Sequence, residues 1–321
     1  MRRVVPSMTS LRKLGSSDLQ VSTLSLGGNV FGWTADEAQS FAVLDAYTAG
    51  GGNFVDTADT YSSWIPGNVG GESETLIGKW FAARGSRSDV VLATKVGLHP
   101  EYKGLAAATI KAGAEESLRR LGTDYIDLYY THQDDETVPV EEIITALDQL
   151  VKEGKVREIA ASNISPARLR ASLDFSEREG LARYVALQPQ YNLVSRDTYE
   201  GELQDLGAEA GLAAVPYFAL ASGFLTGKYR AGTTVDSPRA GGAAQHLETE
   251  RGQKVLTALD GIARERDAEI ATVALAWLAS RPTVVSPIAS ARTVEQLPAL
   301  LAVDDLRLTD QELTALTEAS A

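Results

Sequence analysis

The stretch Asn53-Phe-Val-Asp-Thr-Ala-Asp-Thr-Tyr61 places a carboxylate, Asp56, directly after an apolar pair, and a phenol, Tyr61, a short loop further on. Lys95 closes the apolar run from Val90 to Thr94, and His132 follows the run from Tyr125 to Thr131. A lysine at the end of an apolar strand is poorly solvated unless paired, and Asp56 is the obvious partner. A buried ammonium beside Tyr61 favours phenolate over phenol, drawing its pKa from about 10 toward the working range of a general acid. His132 could donate a hydrogen bond to a substrate oxygen and fix where a carbonyl sits. Taken singly, Asp56 reads equally well as a helix cap and Tyr61 as a half-buried core residue. The chemistry requires that the strands carrying them converge.

The rest of the chain supplies that convergence. A small hairpin (Leu11 to Leu14, a turn at Gly15 to Asp18, Leu19 to Val21) precedes the main fold. Core strands are predicted over Leu24 to Gly27, Asn53 to Asp56, Val90 to Thr94, Tyr125 to Tyr130, Val156 to Ala161, Tyr184 to Leu187, Leu212 to Pro216 and Thr283 to Ile288. Helical patterns separate them. Thr34 with Glu37 reads as a capping box for the first, Ser165-Pro166 as an N-cap and first-turn proline, and Thr309 with Glu312 as the cap of a terminal helix. Near-continuous apolar strands argue for a parallel sheet covered on both faces. Eight β/α units point to an α/β fold of the (β/α)8 TIM-barrel type, with an N-terminal β-hairpin and a C-terminal helical extension. No Gly-x-Gly-x-x-Gly follows the first strand, against a Rossmann arrangement. One domain is expected over residues 1–321, with residues 1–10 flexible and residues 230–252 a long loop.

Bulk properties narrow the function. With 44% apolar residues in 321, a sizeable core is available. A net charge of −13 argues against nucleic acid as a partner, so any phosphate site is built locally. No apolar run reaches the roughly 18 residues of a membrane span, and the first residues lack a signal-peptide core. Without cysteine there is no disulfide framework and no thiolate chemistry, and a cytoplasmic location is expected. Three scattered histidines scarcely make a metal site, so no metal is expected. His99 and His246 read as surface loop residues. Oligomeric state has no signal in the sequence.

Eight motifs in order, from Asn53–Tyr61 through Gly71-Glu-Ser-Glu74, Ala93-Thr-Lys-Val96, Asp124–His132, Ala161-Ser-Asn163, Gln188-Pro-Gln-Tyr-Asn192 and Gly223–Tyr229 to Ala291–Leu297, resemble the aldo-keto reductase superfamily. The likeness runs from about Leu11 to Leu316 and is greatest to the bacterial branch near sugar and carbonyl reductases and potassium-channel β-subunit relatives. The resemblance implies that Tyr61 is the proton donor, Lys95 its activator, Asp56 the holder of Lys95 and His132 the carbonyl-orienting group. It implies a nicotinamide dinucleotide across the barrel mouth, NADP(H) with NAD(H) the other option. Ser162, Asn163 and Gln188 would grip the carboxamide, and Tyr217 would stack on the ring. Leu220, Ser222, Gly223 and Lys228 would hold the pyrophosphate, with the loop from Arg230 folded over it. Ser290, Arg292 and Gln296 would hold the adenosine 2′-phosphate end. Ser290 stands where the family has Gly, Leu300 where it has Asn, Phe218-Ala219 for Ser-Pro and Gln133 for Arg. Phe31, Trp33 and Trp64 are expected to form an aromatic rim for a small-molecule carbonyl substrate. The function implied is NADPH-dependent reduction of an aldehyde or ketone. The alternative is a cofactor-binding sensing or regulatory subunit with slow turnover.

Overall fold

The computed structural model describes residues 10–230, 232–233, 235 and 240–321. The expectation for the N-terminal segment therefore lies, except for Ser10, outside the described residues. The first hairpin pairs β1 (Leu11–Lys13) with β2 (Gln20–Ser22). Eight parallel strands follow in the ring order β12, β3, β4, β5, β8, β9, β10, β11. They are β3 (Ser25–Gly27), β4 (Phe54–Asp56), β5 (Val91–Val96), β8 (Ile126–Thr131), β9 (Val156–Ser162), β10 (Tyr184–Gln188), β11 (Ala213–Ala214) and β12 (Ile288–Ala289). A short antiparallel pair, β6 (Leu98–His99) and β7 (Tyr102–Lys103), sits between β5 and the next helix.

The ring closes between its seventh and eighth members. Ala214 N–H donates to Thr283 O at 2.8 Å, and Val285 N–H to Ala214 O at 2.9 Å. Ile288 N–H then donates to Pro216 O at 2.9 Å. The last strand is much shorter than the Thr283 to Ile288 span expected, because Pro282 and Pro287 have no N–H to give to a ladder.

Helices α1 (Glu37–Ala49), α2 (Glu72–Arg84), α3 (Ala107–Leu121), α4 (Val140–Lys152), α5 (Pro166–Glu179), α6 (Glu202–Glu209), α7 (Ala240–Leu247), α8 (Glu250–Arg266), α9 (Ile270–Ala279), α10 (Leu297–Leu301) and α11 (Asp310–Ala319) cover the outside. The cap of α1 is Asp36 with Gln39, not Thr34 with Glu37. A turn in which Thr34 and Ala35 N–H both donate to Val30 O delays the helix start. Ser165-Pro166 and the Thr309–Glu312 box cap α5 and α11 as expected. The loop expected over 230–252 is corrected as well. Its described residues enter α7 at Ala240 and α8 at Glu250, so alanine's helix preference outweighs Gly241 and Gly242.

Two apolar layers result from strand alternation. Val55, Leu92 and Tyr129 face outward onto the helices. Phe54, Ala93, Leu128, Ala160 and Ala186 face inward, joined by Leu14 and Val21 of the hairpin. Residues two positions further along each inward-facing strand must then line the next level up. Those are Asp56, Lys95, Tyr130, Ser162 and Gln188.

Candidate active site

That upper level is where apolar packing gives way to polar groups, at the carboxyl ends of the strands where barrel enzymes bind ligands. Lys95 is fully buried, with Asp56 at 1% exposure. Its three ammonium hydrogens all find acceptors: Asp56 Oδ2 at 2.7 Å, Thr57 O at 2.6 Å and Tyr61 Oη at 2.9 Å. Burial lowers the Lys95 pKa, and the Asp56 charge works against that fall. Tyr61 Oη accepts from Lys95 and donates to Asp56 Oδ2 at 3.4 Å. The Tyr61 ring stands edge-on to His132 with centroids 6.0 Å apart, so phenol and imidazole border one space. Burial, reinforced by the Lys95 charge, holds the His132 pKa well below its ordinary value. The imidazole is neutral and offers a single N–H as donor.

A hydrogen-bonded chain runs on from this corner. Gln188 Nε2 donates to Asp56 Oδ1 at 2.8 Å, and Ser162 Oγ donates to the Gln188 carbonyl at 2.8 Å. Asn163 Nδ2 donates to the His132 carbonyl at 2.9 Å and to Ser162 Oγ at 3.1 Å. Tyr217 Oη closes the chain on Asn163 Oδ1 at 2.8 Å. Burial raises the Tyr217 pKa, so the phenol remains a donor. The loop after His132 is clasped from α5: Arg168 meets both carboxylate oxygens of Asp134 and the carbonyls of Asp135 and Val138.

These groups open on a cavity of about 560 Å³. Its wall includes Asp56, Tyr61, His132, Ser162, Asn163, Gln188 and Tyr217, then Leu220, Ser222, Gly223 and Lys228, and finally Ser290, Arg292 and Gln296. Between β11 and α7 the backbone turns left-handed at Ala221, Ser222 and Gly223, with φ of 46°, 57° and 94°. Such a turn can present successive N–H groups to an anion. Lys228 and Arg292 form no ion pair with any described residue. Amide-compatible groups at one end and the cations Lys228 and Arg292 at the other make a donor set that fits a dinucleotide.

The structure brings every sequence-selected cofactor residue to this one cavity. Of the aromatic rim, Trp33 and Trp64 line it, with ring centroids 5.5 Å apart. Phe31 does not: it is fully buried in the outer apolar layer, just after the turn that follows β3. His99 is not a surface residue either. It is buried in the β6–β7 hairpin, stacked near Tyr102 and below Gly70. His246 is half-buried on α7, its ring 5.2 Å from Phe224. Sequence reasoning missed Asn29, which accepts from Ser290 Oγ at 2.7 Å, as well as Arg168 and the polar group behind Lys95. There Glu74 takes bonds from Thr94 and Arg120, both 2.6 Å. Asp59 is buried beside them without a side-chain partner, its pKa raised by burial and then by Glu74. Nothing local in the sequence flags a pair such as Arg120 and Glu74, which lie far apart along the chain.

A closed eight-stranded barrel carries a lysine-supported phenol beside a neutral histidine, above a long cavity, the arrangement of a barrel oxidoreductase. A sequence model of the Aldo/keto reductase family matches residues 23–321, and the chain belongs to that family. It is 36% identical over 318 residues to the uncharacterized oxidoreductase YrpG of Bacillus subtilis, covering 95% of this chain and 94% of that protein. It is 34% identical to a probable voltage-gated potassium channel subunit beta of Oryza sativa, over 89% of this chain and 88% of the other. With an aryl-alcohol dehydrogenase [NADP(+)] of Phanerodontia chrysosporium it shares 30% identity, over 94% and 82%.

Proposed function

We propose that this enzyme reduces an aldehyde or ketone to the alcohol, with NADPH as hydride source and Tyr61 as proton donor. The observation that carries the reading is the Lys95 ammonium held 2.9 Å from the Tyr61 oxygen by a buried carboxylate. Lys95 donates to that oxygen, and the phenol hydrogen rests on Asp56 Oδ2 across a long 3.4 Å, from which it can turn to a better-placed acceptor. A carbonyl oxygen in the space between Tyr61 and His132 takes a hydrogen bond from each. A nicotinamide held along the cavity would supply the hydride for the carbonyl carbon. As charge grows on the oxygen, Tyr61 gives up its proton, and the adjacent ammonium stabilises the phenolate that remains. His132 orients the carbonyl without competing as an acid, since its imidazole stays neutral.

Ser162, Asn163 and Gln188 would hold the carboxamide, Tyr217 the ring face and the turn at Ser222-Gly223 with Lys228 the pyrophosphate. Arg292, with Ser290 and Gln296, would hold the 2′-phosphate, which favours NADPH over NADH. The pair of half-buried Trp33 and exposed Trp64 at the cavity wall supports a flat aromatic carbonyl as substrate, as does the printed name of the Phanerodontia relative. Tyr61→Phe is the decisive variant. Turnover should fall by about 10²-fold or more while cofactor affinity stays within roughly twofold. Undiminished turnover would end this reading.

A second reading rests on similarity to the rice channel β subunit: a cofactor-bound regulatory chain with slow turnover. Stopped-flow NADPH fluorescence with a reactive aromatic aldehyde separates the two. Rapid oxidation supports the enzyme; a cofactor that stays reduced and bound supports the regulator.

A further inference from the structure

The cavity wall assigns Gln188 a task that cofactor contact does not exhaust. Its carboxamide is almost wholly buried, and Nε2 is spent on Asp56 Oδ1 at 2.8 Å. The other oxygen of Asp56, Oδ2, carries the whole load of Lys95 and Tyr61. A carboxylate bonded through one oxygen alone can swing about its last torsion, which is broad. Bonded through both, it is fixed in plane. Gln188 itself is fixed, since it sits opposite Ser162 in the strand register and its carbonyl receives the Ser162 hydroxyl.

We infer that Gln188 is a positioning residue of the proton donor: by donating to Asp56 it sets where the carboxylate holds Lys95 and how strongly Lys95 supports Tyr61. This inference rests on the reading of Tyr61 as proton donor. The sign follows from charge. The Gln188 N–H draws negative charge toward Oδ1. Without it, Oδ2 attracts the ammonium more strongly, Lys95 turns from the phenol, and Tyr61 ionises at higher pH. A cofactor amide bonded to Gln188 Oε1 would polarise the same N–H, so cofactor binding and Tyr61 acidity are coupled, and by linkage the coupling is reciprocal.

The test uses Gln188→Met, which keeps length and burial, and Gln188→Glu, which keeps polarity but adds charge beside Asp56. The readout is phenolate absorbance against pH in cofactor-free protein, with Tyr61→Phe subtracted to isolate Tyr61. The midpoint is expected to rise by about 0.5–1 pH unit in Gln188→Met and further in Gln188→Glu. The high-pH limb of kcat/KM for reduction should move by the same amount. A Gln188→Met midpoint equal to wild type, with cofactor Kd weakened, would make Gln188 a cofactor contact only and overturn the inference. So would a downward move in either variant. The absorbance titration needs no turnover, so an inactive wild-type protein would sink the proposed reaction while leaving this result readable.

Discussion

Tyr217 donates its hydroxyl hydrogen to Asn163 Oδ1 across 2.8 Å, and Asn163 holds this position with a left-handed φ of 48°. Asparagine tolerates that conformation better than most residues, and here its side chain bonds to three partners. Tyr217→Phe keeps the ring and removes the tether. Cofactor affinity should drop about fivefold, the worth of one neutral hydrogen bond of about 1 kcal/mol, with thermal stability nearly unchanged. Fluorescence titration with NADPH checks it; unaltered affinity would mean that Asn163 needs no tether.

The Arg168 clasp makes a different prediction. Four hydrogen bonds leave one guanidinium for Asp134 and two carbonyls in the loop after His132. Arg168→Met should cost about 2 kcal/mol of stability and lower kcat/KM about tenfold as the loop loosens. Arg168→Lys should recover little, because a point charge cannot span the fork. Denaturant melts and steady-state kinetics on both variants decide; full recovery by lysine would show that charge alone matters.

Arg292 lines the cavity, and the proposed function gives it the 2′-phosphate. Arg292→Ala should weaken NADPH at least about tenfold and leave NADH within roughly twofold. Equal loss for both cofactors would place the guanidinium elsewhere than on a 2′-phosphate.

In acid the buried imidazoles lower stability, against the opposite pull of Asp59, whose raised pKa lets the native protein take up a proton. His99 and His132 both have pKa values lowered chiefly by burial, whereas in the unfolded chain histidine titrates near about 6.5. Below that value the unfolded chain binds protons that the native protein refuses. The stability these groups contribute is therefore present above about pH 6.5 and is lost as the pH falls. Urea midpoints should decline between pH 7.5 and pH 5.5 (both chosen to bracket that value). His99→Gln should flatten the decline in part. An identical slope in that variant would remove His99 from the account.

Much of this was legible because barrels are regular. Apolar runs placed the strands, and the first polar residue after each run placed Asp56, Lys95 and His132. What escaped depends on partners distant in sequence or on local turns. Phe31 and His99 look exposed because loops are usually wet; tight turns tuck both inward. The helix at Ala240 hid inside a Gly-rich composition, and Pro287 shortened the last strand without altering its apolar pattern. Cavity-lining residues such as Ser222 and Arg292 were selected only through family resemblance, since neither has a spacing that periodicity selects.

Leu14 and Val21 press into the bottom of the ring, against Phe54, Leu128 and Val185. That stopper shuts the end of the ring away from Tyr61. A dinucleotide bound along the cavity as proposed would have to arrive before the carbonyl compound and could depart only after the alcohol. Product-inhibition patterns should therefore be those of strict queueing, last in and first out.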